Sequence, residues 1–226
     1  MDQEHSLREN MVQRQLVARG LHDAGVLAAM RKVPRSAFVP DEVRALAYDD
    51  APLPIGCGQT ISQPYIVALM AQAAALRPGD KVLDIGAGSG YAAAVMAQIA
   101  GHVQAIERHE PLALQARARL RQLGYGNVTV QVGDGTLGLP SQAPFDAIVA
   151  AAGGPYVPPA WREQLAVGGR LVMPVGQATR RQRLLRIVRR GQDDYEEQDL
   201  GAVAFVPLIG EQGWQGGAQG MHAPRR

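Results

Sequence analysis

VLDIGAGSGY, residues 82–91, holds a short apolar run of Val82, Leu83 and Ile85 around one acid, Asp84, followed by glycines at alternate positions, Gly86, Gly88 and Gly90. An apolar run of this length ending in glycine predicts a buried strand entering a tight turn, where backbone takes positive φ or approaches a ligand closely. Residues 91–100 then read as a helix. A helix N-terminus offers unpaired N–H groups and a partial positive charge, so the turn suits a polar or anionic group. The glycines run G-x-G-x-G, and a dinucleotide fingerprint would need G-x-G-x-x-G.

Working outward, residues 103–106 form a second strand ending in Glu107, nineteen positions after Gly88. An acid there is where an α/β nucleotide site binds ribose hydroxyls. A third strand, 128–132, ends in Gly133, Asp134 and Gly135. Asp134 lies on the ligand edge, where it either meets an adenine amino group or stabilises its own turn. A fourth strand, 145–151, precedes Gly153 and Gly154; a helix over 159–165, a turn over 166–170 and a strand over 171–176 follow. This order predicts an α/β fold, a doubly wound, mostly parallel Rossmann-like sheet whose ligand edge is at the carboxyl ends of the strands. With Asp84, Gly86, Gly88, Ser89 and Glu107, the turn resembles the S-adenosylmethionine site of class I methyltransferases.

Six arginines between 180 and 190 face an acidic segment, 193–199, across an expected antiparallel C-terminal hairpin. Cross-strand charge pairing accounts for them, and no nucleic-acid partner is expected. The Gly- and Gln-rich tail, 211–226, is expected to lack fixed structure.

Ahead of the sheet, residues 1–50 read as a helical cap and linker. One helix spans 6–19 and stops at Gly20; a second spans 23–31 with Asp23 as its N-cap. VPRSAFVP, 33–40, is expected to be extended between its prolines. In PLPIGCGQTISQPYIVALM, 52–70, Gly56 and Gly58 flank Cys57, and Gln59, Thr60, Ser62 and Gln63 cluster before Pro64 opens a helix. Ser62 or Gln63 would cap that helix, or this cluster faces a carboxylate.

At 226 residues and a net charge of +2, the chain suits one α/β domain over 1–210, expected to be a monomer. One cysteine excludes an internal disulfide or a Cys-based zinc cluster, and no metal is expected. The charged N-terminus lacks a signal peptide's apolar core, and no apolar run approaches the ~18 residues of a membrane span, so the cytoplasm is expected.

VPRSAFVP, GCGQTISQP, VLDIGAGSGY, VGDG, APFDAIV, QLAVGGRLVMPVG and FVPLIG, between residues 33 and 210, together resemble the protein-L-isoaspartate O-methyltransferase family. The resemblance implies transfer of the methyl group of S-adenosylmethionine to the α-carboxylate of L-isoaspartyl residues in damaged peptides and proteins. The ester closes to a succinimide that hydrolyses partly to aspartate. It also implies cofactor contacts from Asp84, Gly86, Gly88, Ser89, Glu107, Asp134 and Gly135, substrate contacts from Thr60, Ile61 and Ser62, and a catalytic role for Ser62. This chain departs from the pattern at Cys57 and at 150–154, AAAGG, where a hydroxyl is absent. The alternatives are a related peptide aspartate methyltransferase with one dedicated acceptor, and a non-catalytic S-adenosylmethionine-binding protein.

Overall fold

The computed structural model describes residues 3–177 and 181–215. The N-terminal segment begins earlier than its periodicity suggests. Helix α1 (Gln3–Met11) runs into a π-helical stretch, Val12–Leu16, and a 3-10 turn, Val17–Arg19, closed by Gly20 at φ +88. Met11, Val12 and Leu16 are all buried. Helix α2 (Ala24–Lys32) starts as predicted, with Asp23 Oδ1 accepting from the Val26 N–H at 2.8 Å.

Residues 33–40 are not extended throughout: Arg35–Phe38 forms a 3-10 turn. Proline restricts its own φ and the residue before it, which leaves the four residues between free to coil. Coiling buries both Arg35 and Phe38 completely. The Arg35 Nε donates to the Ala47 carbonyl at 2.8 Å, and burial lowers the pKa of its guanidinium.

Strands β1 (Leu53–Gly56) and β2 (Gln59–Ile61) make a small antiparallel hairpin, with Cys57 at φ +52 in its turn. Helix α3 (Pro64–Ala73) follows, then β3 (Lys81–Ile85), α4 (Tyr91–Ala97), β4 (His102–Glu107), α5 (Glu110–Gln122) and β5 (Val128–Val132). The chain closes with β6 (Phe145–Ala150), α6 (Pro159–Gln164), β7 (Leu165–Gly176), β8 (Gln182–Arg189) and β9 (Tyr195–Val203).

The main sheet has seven strands in the order β5-β4-β3-β6-β7-β8-β9. Strands β3 to β7 are mutually parallel, while β7, β8 and β9 pair antiparallel, as expected. Alternate residues feed opposite cores. Val82, Val103 and Ala147 join one core with the N-terminal cap, and Leu83, Ile106 and Ile148 join the other around Trp161. Burial on both faces explains the near-continuous apolar composition of these strands.

Three expectations need correction. The turn expected over 166–170 is a register irregularity inside β7, with Gly168 at φ +81. The charge ladder across β8 and β9 is partial: Arg183 pairs with Asp199 at 2.6 Å and Arg190 with Glu196, but Arg186 and Arg189 donate to the Ala73 and Leu165 carbonyls. Arg180 lies outside the described residues. Residues 211–215 are not a free tail. The Glu211 N–H donates to Asp134 Oδ2 at 2.8 Å, the Gln212 N–H to Thr136 Oγ1 at 3.0 Å, and the Trp214 Nε1–H to the Gly153 carbonyl at 3.0 Å. Residues 216–226 lie outside the described residues.

Candidate active site

Strand order reverses between β3, whose chain continues to β4 on one side, and β6 on the other. Ligands in open α/β sheets bind at such a switch point, outside the carboxyl ends of the strands. A cavity of about 230 Å³ sits there, bordered by Gly86, Gly88, Glu107, Gly135, Ala151 and Leu208.

Gly86 and Gly88 hold φ of +85 and +53, so the turn takes the left-handed backbone expected of it. A Cβ on Gly88 would come within 3.1 Å of Ile55, and one on Gly135 within 2.6 Å of Ile85. Glu107 is fixed by the turn it faces: Oε2 accepts from the Gly88 N–H at 2.8 Å and Oε1 from the His109 N–H at 2.9 Å. Each oxygen keeps another lone pair for a hydroxyl.

The other predicted cofactor residues stand elsewhere. Asp84 is fully buried, and neither of its oxygens has a hydrogen-bond partner among the described residues. Burial, and then the charge of Glu107, pushes its pKa up to about 7. It borders a separate cavity of about 20 Å³, shared with Ser62 and Ala151. Ser89 is buried beside a cleft with Phe38 and Arg119, and its carbonyl accepts from Arg119 Nη1 at 2.8 Å. Asp134 serves its own turn: Oδ1 accepts from the Thr136 N–H and hydroxyl at 2.8 and 2.7 Å, while Oδ2 holds Glu211. Its neighbour Gly135 reaches the cavity, steadied by a 2.9 Å bond from Trp161 Nε1 to the Gly135 carbonyl.

A second cavity, about 850 Å³, adjoins the first. Thr60, Ala151, Val206 and Pro207 border both. Ser62 and Gln63 line the second, and neither caps α3 through its side chain. Asp50 takes that role from outside the helix, accepting from the Tyr65 N–H at 3.2 Å. The Ser62 hydroxyl is thereby released from the capping reading. Ile61 is buried and pairs with Leu53, so it fixes the hairpin between Thr60 and Ser62 without bordering either of the two larger cavities.

Two cavities that share Thr60, Ala151, Val206 and Pro207 as a common border suit a donor and an acceptor brought face to face. The family model described as Protein-L-isoaspartate(D-aspartate) O-methyltransferase matches residues 6–213. The chain belongs to this family.

Among its relatives is a protein-L-isoaspartate O-methyltransferase of Rhodopseudomonas palustris, 60% identical over 91% of this chain and 94% of the relative. One of Protochlamydia amoebophila is 54% identical over 91% of this chain and 98% of the relative. A solved protein-L-isoaspartate O-methyltransferase superposes with a TM-score of 0.81 at 29% identity, covering 90% of this chain and 66% of that one. A Plasmodium falciparum structure, described as a candidate enzyme of the same name in complex with S-adenosyl-L-homocysteine, gives a TM-score of 0.77 at 25% identity, covering 92% and 99%.

Within 150–154, Gly153 has a packing role of its own, while nothing in the structure explains the absent hydroxyl. The Gly153 N–H donates to the Val206 carbonyl and the Gly153 carbonyl accepts from the Leu208 N–H, which lays the C-terminal segment along the cavity. A Cβ on Gly153 would fall 2.5 Å from Gln182 Nε2. Residues 206–209 as a cavity wall were missed in the sequence, although FVPLIG was among the quoted motifs. Arg19, which reaches the second cavity from the N-terminal segment, gave no sequence signal.

Proposed function

We propose that this methyltransferase repairs damaged proteins by moving the methyl group of S-adenosylmethionine onto the α-carboxylate of L-isoaspartyl residues. The observation that carries the reading is the pair of cavities joined at Thr60 and Ala151, with Ser62 bordering the larger one.

The residues fit the cofactor. Asp84 does not border the cofactor cavity, but its orphaned, fully buried carboxylate lines the small cavity that shares Ala151 with it, where its charge would favour a positively charged ligand. Glu107 keeps lone pairs for ribose hydroxyls. Gly86 and Gly88 would bring backbone against it, with Gly135 and Leu208 beside its base. Asp134 supports this wall indirectly, and Ser89 supports the turn from behind. When bound, S-adenosylmethionine supplies an electrophilic methyl group on a sulfonium whose departure needs no protonation.

Little acid–base chemistry falls to the chain. A carboxylate is ionised at neutral pH, so no general base is required. Thr60 and Ser62 would hold the acceptor carboxylate at the junction, with Ser62 orienting one oxygen through its hydroxyl. Their work is alignment and exclusion of water, and alignment accounts for ~7–11 kcal/mol of a barrier in favourable cases. The methyl group of Ala151, where a hydroxyl is absent, leaves orientation to the Thr60–Ser62 side.

The acceptors are peptides and proteins, and the enzyme acts as a cytoplasmic monomer with no nucleic-acid partner. A single cysteine, Cys57, suits a reducing compartment. The test uses a protein aged at neutral pH to accumulate isoaspartate, set beside fresh protein, with methyl-labelled cofactor. Volatile label released by base is expected from the aged sample in excess. Equal release from both would overturn the reading.

A further inference from the structure

The acceptor cavity takes its charged lining residue from outside the sheet. Among the described residues that border it, Arg19 alone carries a charge, and the remaining wall is neutral, with Tyr65, Ile66, Leu69, Leu200 and Phe205 contributing apolar surface. Arg19 ends the 3-10 turn that closes the N-terminal helical segment. Its Nη1 donates to Asp50 Oδ2 at 2.6 Å, and its guanidinium carbon lies 3.4 Å from the centre of the Tyr65 ring. Asp50 does not border the cavity, and its second oxygen is taken by the Tyr65 N–H.

A guanidinium presents five N–H donors in one plane, and stacking on a ring covers a face without covering the edge. One bond to Asp50 therefore leaves most of the donors of Arg19 in reach of the cavity, and its side chain is 44% exposed. The stack and the ion pair together hold the group in place, so a second carboxylate meeting it costs little additional ordering.

Resting on the isoaspartyl reading above, we propose that Arg19 is a specificity-determining residue that reads the charge beside the isoaspartyl residue of the acceptor. Acceptors with an acidic neighbour are favoured, and those with a lysine or arginine neighbour are disfavoured. An exposed charge pair is modest and screened by salt, so the effect is about three- to tenfold at low ionic strength.

The test is a series of isoaspartyl peptides carrying Glu, Gln or Lys immediately before or immediately after the modified residue. The readout is the ratio of kcat/KM for Glu over Lys peptides within each protein, which cancels any general loss from disturbed packing at Asp50 or Tyr65. Wild-type protein is expected to favour Glu in at least one of the two positions, mainly through KM, with the ratio shrinking in high salt. Arg19→Gln brings the ratio near one, Arg19→Lys keeps part of it, and Asp50→Asn, which removes the competing charge, raises it. A flat wild-type series, or a full ratio retained in Arg19→Gln, overturns the role of Arg19. Should Arg19→Gln fail to fold, the salt dependence and the Asp50→Asn ratio decide. Labelling with no charge preference overturns this inference alone, whereas no label on any peptide overturns the isoaspartyl reading and this role with it.

Discussion

Asp84 and Ser62 border the same small cavity, and each lacks what its surroundings would ordinarily provide. Asp84 has no hydrogen bond in full burial, which raises its pKa from 3.8 to about 7. A carboxyl raised in this way favours the folded state in its protonated form, so that contribution is lost as pH rises from about 4 through 7. A bound positive charge favours the ionised form. Affinity for S-adenosylmethionine is therefore expected to tighten by up to about tenfold per pH unit below 7, and to level off above it. Asp84→Asn should bind more weakly with that slope gone; titration calorimetry over this range checks it, and an unchanged slope contradicts it. Ser62→Ala is expected to lower turnover by about 10- to 100-fold, as for a misplaced reacting group, with cofactor Kd nearly unchanged. Equal losses in both would end the orienting role. The acid inside VLDIG was legible because an acid in an apolar run has few structural uses. The freedom of Ser62 was not, because the Asp50 that caps α3 in its stead comes from a segment that local sequence does not connect to it.

The C-terminal segment carries the largest difference between expectation and structure at the scale of elements. Its Gly- and Gln-rich composition reads as disorder, yet residues 211–215 are held by backbone N–H groups on Asp134 and Thr136 and by one indole. Backbone donors leave no trace in composition, and Trp214 was the one side chain able to signal an anchor. Residues 206–209 between this anchor and β9 form the cavity wall. Gly210 is needed for the approach, since a Cβ there would sit 2.0 Å from Asp134 Oδ1. Gly210→Ala is expected to destabilise the protein by about 1–3 kcal/mol through overpacking, and to weaken cofactor binding. Thermal melts with and without S-adenosylhomocysteine measure both, and an unchanged ligand-induced shift in Tm would separate this segment from the site.

The whole molecule is held in register by the sheet, whose inner parallel strands β3, β4 and β6 were legible because burial on both faces makes them largely apolar runs, while the edge strand β5, VTVQV, alternates and buries only Val130. Arg170, read as part of a turn, is instead buried and ties several elements together. Its Nε donates to the Ala74 carbonyl at 2.7 Å, its Nη1 to the Asp146 carbonyl at 3.1 Å, and its Nη2 pairs with Asp80 at 2.5 Å. Arg170→Ala leaves the Asp80 charge buried without its partner, and should cost about 3–5 kcal/mol in denaturant unfolding. A loss under about 1 kcal/mol would place the pair among exposed ones. The function rests on the chain bringing one particular carboxylate to the junction of its two cavities. Two peptides identical except for L-isoaspartyl or L-aspartyl at one position, incubated with purified protein and methyl-labelled S-adenosylmethionine, test that directly. Base-labile label on the isoaspartyl peptide alone is the predicted result. Equal label on both peptides, or none on either while the cofactor binds, would contradict it.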